Sequence, residues 1–358
     1  MSNYLSFPLE VTLEITYQCN LRCLHCYLPN VNSFTRDYNR LSISELKNLI
    51  TALEQHELCQ MVISGGEPLL RKDIFELLDF IVSKTNILPY IVTNGTLIDH
   101  HTAKKLTEYD LLKDCVQVSI DGASEETHDI LRGDGSYKRA LQGVKNLLSY
   151  GGSPTMGFVI TSLNAKDVTK YVELAYDLGV NSVHFMPLMP SGKAKIKWNI
   201  LKLSKGERNK IKYQIEIMRK EKPHMKIIVD PALCPPPDLN NLELSDHDAK
   251  FIGCEAGRLE LTITPEGDVI PCSLLRDPQF IAGNVREKDI KYIWQTSPVF
   301  SIFRSVRPAS ISADEKCKNC KLFKICAGGC PATSYHLLGD ILKRDAFCVL
   351  YDDYINAG

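Results

Sequence analysis

Six short apolar runs, each ending in turn residues and separated from the next by a stretch of helical period, constrain this 358-residue chain most. They are EVTLEIT, QMVISGG, LPYIVTNG, CVQVSIDG, TMGFVIT and VNSVHFMP, starting at residues 10, 60, 88, 115, 155 and 180. Runs this continuous in apolar content read as strands buried on both faces, as in a parallel sheet. Between them, Ser42 to Glu45 has the spacing of a capping box, and Leu46, Leu49, Ile50 and Leu53 follow on one helical face. Val168, Tyr171, Val172, Ala175 and Leu178 repeat that period before Gly179 stops it. Alternation of this kind predicts an α/β fold, a partial (β/α)6 TIM-like barrel over residues 1–190; a full barrel needs two more units.

Beyond residue 190 the character changes. Residues 191–226 hold twelve Lys or Arg and three Glu, a local net of +9, so 191–250 reads as a basic helical linker. Its basic face is either simply solvated or a docking surface for an acidic partner. A cysteine-rich region, 251–358, completes the chain. Formal net charge is -1, with 44% hydrophobic and 24% charged residues, which gives no sign of a nucleic-acid binder or a disordered chain. No segment reaches the roughly 18 apolar residues that cross a bilayer, and MSNYLSFPLE lacks a basic start, so a cytoplasmic protein is expected. In a reducing compartment, the 13 cysteines at short spacings read as metal ligands rather than disulfides.

Cys19, Cys23 and Cys26 follow the first run with gaps of three and two residues. Three thiolates on one loop can hold three irons of a cubic iron-sulfur cluster and leave the fourth open; a three-cysteine zinc loop completed by His25 is the alternative. CxxxCxxC after the first strand of a βα array resembles the radical S-adenosylmethionine (SAM) superfamily. That resemblance implies a [4Fe-4S] cluster whose open iron chelates SAM, and a 5′-deoxyadenosyl radical that takes a hydrogen from the substrate. Three other stretches add to it. Gly65, Gly66 and Glu67 resemble the family's SAM-amino-group motif, and Ser119 and Arg132 match SAM contacts, Arg132 facing the carboxylate. Asn94 sits on the same rim as a SAM neighbour, and Met186 either lines the adenine pocket or belongs to the core. Cys59 and Cys115 read as buried small hydrophobes.

Near the C-terminus stand Cys254, Cys272, Cys317, Cys320, Cys326, Cys330 and Cys348. The pattern C…GxxxxC…CxxCxxxxxCxxxC…C resembles the SPASM extension of radical SAM maturases, which implies two auxiliary [4Fe-4S] clusters; zinc knuckles are the alternative. By resemblance Cys317, Cys320, Cys326 and Cys348 hold the distal cluster, and Cys254, Cys272 and Cys330 the nearer one. The nearer cluster lacks a fourth cysteine, so its last iron is open or is reached by Cys234.

Sulfatase-maturing relatives carry an aspartate after the residue matching Cys272. Here Ser273 stands there, which argues against formylglycine formation. Asp121, His184 and Glu260 are other candidates to accept a proton. Only about ten residues precede the first strand, so no fused leader-recognition domain is expected there. The layout resembles pyrroloquinoline quinone and mycofactocin maturases. It implies a radical SAM oxidoreductase that crosslinks or oxidises an unactivated carbon of a ribosomal peptide. A separate recognition protein and a flavodoxin- or ferredoxin-type electron donor are the expected partners, with no nucleic acid and no membrane. Haem or small-molecule modification is the enzymatic alternative, and a non-enzymatic electron carrier or metal-binding interaction protein the alternative from another class.

Overall fold

The computed structural model describes residues 4–28, 39–230, 253–320 and 323–348. Cys234 lies outside the described residues. All six apolar runs form strands: β1 (Glu10–Glu14), β2 (Gln60–Ser64), β3 (Leu88–Thr93), β4 (Val116–Ser119), β5 (Thr155–Ile160) and β6 (Ser182–Pro187). Each pairs in parallel with the next. Helices α1 (Ile43–Gln55), α2 (Ile74–Lys84), α3 (His100–Glu108), α4 (Glu125–Arg132), α5 (Ser136–Ser149) and α6 (Val168–Asp177) connect them. Helix α1 starts at the expected capping box and buries Leu46, Leu49, Ile50 and Leu53.

The sheet does not stop at six strands. β7 (Lys226–Val229) adds in parallel beside β6, from within the segment read as a helical linker. β8 (Glu260–Ile263), β9 (Asp268–Ile270) and β10 (Gly283–Asn284) come from the cysteine-rich region. β8 pairs in parallel with the free side of β1, and the complete order is β10-β9-β8-β1-β2-β3-β4-β5-β6-β7. The two ends do not join, so the barrel is partial and a single sheet runs from the first strand into the cysteine-rich region.

Side chains alternate along these strands. Leu13, Ile63, Ile91, Val118, Phe158 and Phe185 join one hydrophobic core with the helices. The alternate positions, Glu14, Ser64, Gln117, Ser119, Gly157 and His184, face the other way, into the concave side. One expectation fails here: Cys59 is exposed. It directly precedes β2, two residues after Glu57, whose φ of 59° turns the chain. Cys115 is half-buried against the core.

Candidate functional site

β1 continues as a backbone ladder into the first cysteine loop. The Ile15 amide donates to the Ser64 carbonyl (3.0 Å), Gly66 to Thr16 (2.7 Å) and Glu67 to Gln18 (2.8 Å). The paired glycines make this approach possible: a Cβ on Gly66 would lie 2.1 Å from the Gln18 carbonyl oxygen, and one on Gly65, at φ +131°, 2.4 Å from that of Thr16. The sequence reading gave this closeness to a ligand, whereas the structure uses it first for the segment that delivers Cys19. With the Gly66 and Glu67 amides engaged, the carbonyls are what this turn can offer an ammonium group.

Glu67 is fully buried, and its carboxylate accepts from the Leu69 amide (3.1 Å), the Thr93 hydroxyl (2.7 Å) and the Asn94 amide (2.7 Å). It thus ties the end of β3 to the end of β2. Asn94 in turn donates to Asn20 Oδ1 (2.9 Å) and lies 3.9 Å from Cys19 Sγ. The other side of the loop is held by the Leu24 amide on the Leu131 carbonyl (2.8 Å) and the Lys193 amide on the Cys26 carbonyl (2.9 Å).

Burial, with a contribution from Cys23, pushes the Cys19 and Cys26 thiols up to about 11. Three sheltered thiols that disfavour one another's charge become thiolates together when a cation compensates them, so this donor set fits a metal cluster. Among the described residues no three His, Cys, Asp or Glu side chains converge on one ion. A cubic cluster, which takes each thiolate on a different iron, makes no such demand.

Behind the loop, fully buried Asp121 gathers three donors. Arg132 Nε pairs with its Oδ2, His25 Nε2 meets the same oxygen at 2.9 Å, and the Val159 amide donates to Oδ1 (2.7 Å). Burial alone would raise this carboxyl; Arg132 and His25 hold it well below the usual carboxylate range. Arg132 closes α4, and Asp121 takes its Nε, so the carboxylate facing this arginine in the described fold is the protein's own. Its Nη groups are the ones left for an external anion. Ser119 ends β4, in register with Gly157, which is in register with His184.

Gly157 has no side chain, and Gln117 reaches across it to His184 Nδ1 (3.0 Å), whose Nε2 meets Asp230 Oδ1 (3.1 Å). Met186 accepts from Gln117 Nε2 (3.9 Å) at the rim of this group. Glu260 is in register with Glu10, and burial, then Glu10, pushes its carboxyl up to about 8. Of the three candidate proton acceptors, Asp121 is thus fixed in an ion pair and His184 in a hydrogen-bonded chain.

One constellation escaped the sequence reading. Glu14, completely buried at the end of β1, accepts from Tyr27 (3.2 Å) and pairs with Arg276, which lies over the Tyr27 ring (5.4 Å). Tyr27 follows Cys26, and Arg276 comes four residues after Cys272, so this trio joins the two cysteine regions. The available signal was a charged residue inside an otherwise apolar strand.

In the C-terminal region burial raises the thiols of Cys254, Cys272, Cys317, Cys326 and Cys330, and their neighbours fall into groups. Cys254 feels Cys330 and Cys272, and Cys272 feels Cys330. Cys317 feels Cys326 and Cys348, while Cys326 feels Cys348 and Cys320. Arg307 donates to the carbonyls of Ile341 (2.7 Å), Lys343 (2.5 Å), Gly328 (2.9 Å) and Gly329 (3.2 Å), clamping the turns between Cys326, Cys330 and Cys348. Asp345 accepts from the Cys330 amide (2.9 Å).

Residues 13–175 match the Radical SAM superfamily profile, and residues 254–321 match an iron-sulfur cluster-binding (SPASM) domain. An AdoMet-dependent heme synthase of Methanosarcina barkeri is 30% identical over 356 residues, 96% of each chain. The chain belongs to the radical SAM superfamily. Mycofactocin maturase MftC of Mycolicibacterium smegmatis is 31% identical over 333 residues, 92% of this chain and 80% of that one. The fold matches Streptococcus suis SuiB bound to its precursor peptide SuiA, with a TM-score of 0.81 at 23% identity, covering 97% of this chain and 77% of that chain. As a radical SAM enzyme with a SPASM domain, it uses SAM, a [4Fe-4S] cluster and auxiliary iron-sulfur clusters.

Proposed function

We propose that this radical SAM enzyme oxidises an unactivated carbon of a ribosomally made peptide, forming a crosslink or an oxidised residue. The observation that carries the reading is the grouping of its cysteine thiols into three neighbourhoods along a chain similar to MftC over 92% of its length. Cys19, Cys23 and Cys26 hold the SAM cluster; Cys317, Cys320, Cys326 and Cys348 hold one auxiliary cluster, and Cys254, Cys272 and Cys330 the other.

When bound, SAM and its cluster supply the radical that removes a substrate hydrogen atom. The chain's own residues place and shelter that chemistry. Carbonyls of the Gly65–Gly66 turn would take the SAM ammonium and the Arg132 Nη groups its carboxylate, with Asp121 fixing Arg132 Nε, and Ser119 and Asn94 would complete the wall. Glu67 acts as a positioning residue, locking the Asn94 backbone. The auxiliary clusters, held by the C-terminal cysteines, would supply a route for substrate electrons outward. A separate leader-recognition protein and a flavodoxin- or ferredoxin-type donor serve the enzyme. The twelve cysteines among the described residues are all free, which supports a reducing, cytoplasmic setting, and among the described residues no helix is long and apolar enough to cross a membrane.

A porphyrin substrate is the second reading, favoured by the heme synthase relative. Against it, Arg132 is shared between Asp121 and, in this reading, the SAM carboxylate, and Arg276 pairs with Glu14, so neither of these buried arginines is left for a porphyrin carboxylate.

Anaerobic reconstitution tests the assignment. Expected are about three cubic clusters by iron and sulfide analysis, with one lost in the Cys19→Ala/Cys23→Ala/Cys26→Ala variant. Dithionite should drive 5′-deoxyadenosine release, accelerated by a precursor peptide and not by a carboxylated porphyrin. Stoichiometric zinc without acid-labile sulfide overturns it.

A further inference from the structure

Two short helices after β6, Gly192–Ile196 and Trp198–Leu201, are built directly onto the first cysteine loop. Amides of Lys193 and Ala194 both donate to the Cys26 carbonyl, at 2.9 and 3.3 Å. Gly192, at φ +57°, passes so close to Tyr27 that a Cβ would lie 2.3 Å from its carbonyl oxygen. On their inner side Ala194 and Leu201 are buried with Leu131 and Leu188.

The outer side is different. Ile196 is 78% exposed and Ile200 61%, with Lys195 and Lys197 exposed between and beside them. Among the described residues Lys193, Lys195, Lys197 and Lys202 make no salt bridge, and no acidic residue occurs from 191 to 206. Two bared isoleucines flanked by the exposed ammonium groups of Lys195 and Lys197 are unexplained by folding alone.

We propose that this face is the docking site of an acidic one-electron carrier protein that reduces the cluster held by Cys19, Cys23 and Cys26. The inference rests on the radical SAM assignment of that loop. One electron leaves the carrier's flavin or iron-sulfur centre and one enters the oxidised [4Fe-4S] cluster; no covalent bond forms or breaks. Tunnelling falls steeply with distance, so the carrier has to sit over the loop itself, and these helices are the exposed elements bonded to Cys26. Substrate has to reach the open iron, whereas these helices are bonded through the Cys26 carbonyl to the loop that carries the thiolates, which favours an electron donor over an acidic peptide as the occupant. Encounters between redox partners are small and transient, steered by opposite charge and seated on a few apolar side chains, which matches the two isoleucines and their flanking lysines.

The test compares two reductants on the reconstituted holoenzyme, a purified bacterial flavodoxin in its hydroquinone form and dithionite, which needs no docking site. In Lys195→Glu/Lys197→Glu and, separately, Ile200→Glu, flavodoxin-driven deoxyadenosine release should fall about tenfold, while dithionite-driven release and iron content stay at parental levels. Calorimetric binding of oxidised flavodoxin should weaken in parallel, and for the parent it should weaken as salt rises from about 50 to 300 mM. The milder Lys195→Ala/Lys197→Ala variant covers any failure of the reversals to fold. Equal losses with both reductants and a raised KM for peptide would assign the face to substrate and overturn the proposal, as would unchanged flavodoxin binding. A parent that releases no deoxyadenosine under dithionite overturns the proposed function instead, and the docking site is then judged by flavodoxin binding alone.

Discussion

Asp121 concentrates more of the site's order than any cysteine does. It sits with no solvent exposure between Arg132, His25 and the Val159 amide, so it fixes the end of α4, the middle of the cysteine loop and strand β5 at once. Asp121→Asn removes the charge that offsets a buried guanidinium. Breaking such a pair from one side costs about 3–5 kcal/mol, and urea denaturation of the metal-free protein should show it. The sequence marked both Asp121 and Arg132 but not their union. They lie eleven positions apart, one at a strand end and one at a helix end, and no local pattern says that an arginine expected to meet a cofactor's carboxylate will also meet the chain's own. Glu67 teaches the same lesson: its motif was visible, but its partners Thr93 at the end of β3 and Asn94 just after it were not, because they depend on which strand becomes its neighbour.

Strands and helices were legible wherever one period ran for several residues. α1 is the clearest case, from its Ser42 cap to its four buried apolar positions. Ser42→Ala removes the cap bond to the Glu45 amide (3.3 Å) and should cost about 1 kcal/mol in a thermal or chemical melt. Glu45 also pairs with Arg286, 2.6 Å away beyond β10, and that hydrogen bond, then the Ser42 amide, lowers its carboxyl to about 2 from 4.5. A carboxyl held below its unfolded value stabilises the fold above pH 4.5, and that contribution disappears as pH falls towards about 2. Glu45→Gln should therefore flatten the acid side of the stability profile across that window and leave its neutral plateau shape unchanged. β7 was missed for a physical reason. Its core is the four residues KIIV, too short to show a period and set among lysines that mimic a solvated helix. β8 was missed as a partner because pairing with β1 across some 250 residues leaves no mark in either segment.

At the scale of the whole molecule, Glu14 and Arg276 join the strand that leads into one cysteine region to the loop that leaves the other. Arg276→Ala strands a carboxylate with no solvent exposure and should cost about 3–5 kcal/mol, read as a lower urea midpoint. Glu14→Gln/Arg276→Met, which removes both charges, should recover most of it. A loss of similar size in the double variant would show that packing, not charge, holds the regions together.

Beside this pair runs β1, flanked by β2 on one side and by β8 on the other. During synthesis β2 emerges soon after it, but β8 leaves the ribosome only when most of the polypeptide has been made. Through that interval the outer edge of β1 carries unpaired amides and carbonyls, an invitation to neighbouring nascent chains. Yield in a heterologous host should accordingly respond to slower translation and to co-expressed chaperones, and a gene truncated before residue 260 should give inclusion bodies rather than a usable amino-terminal half.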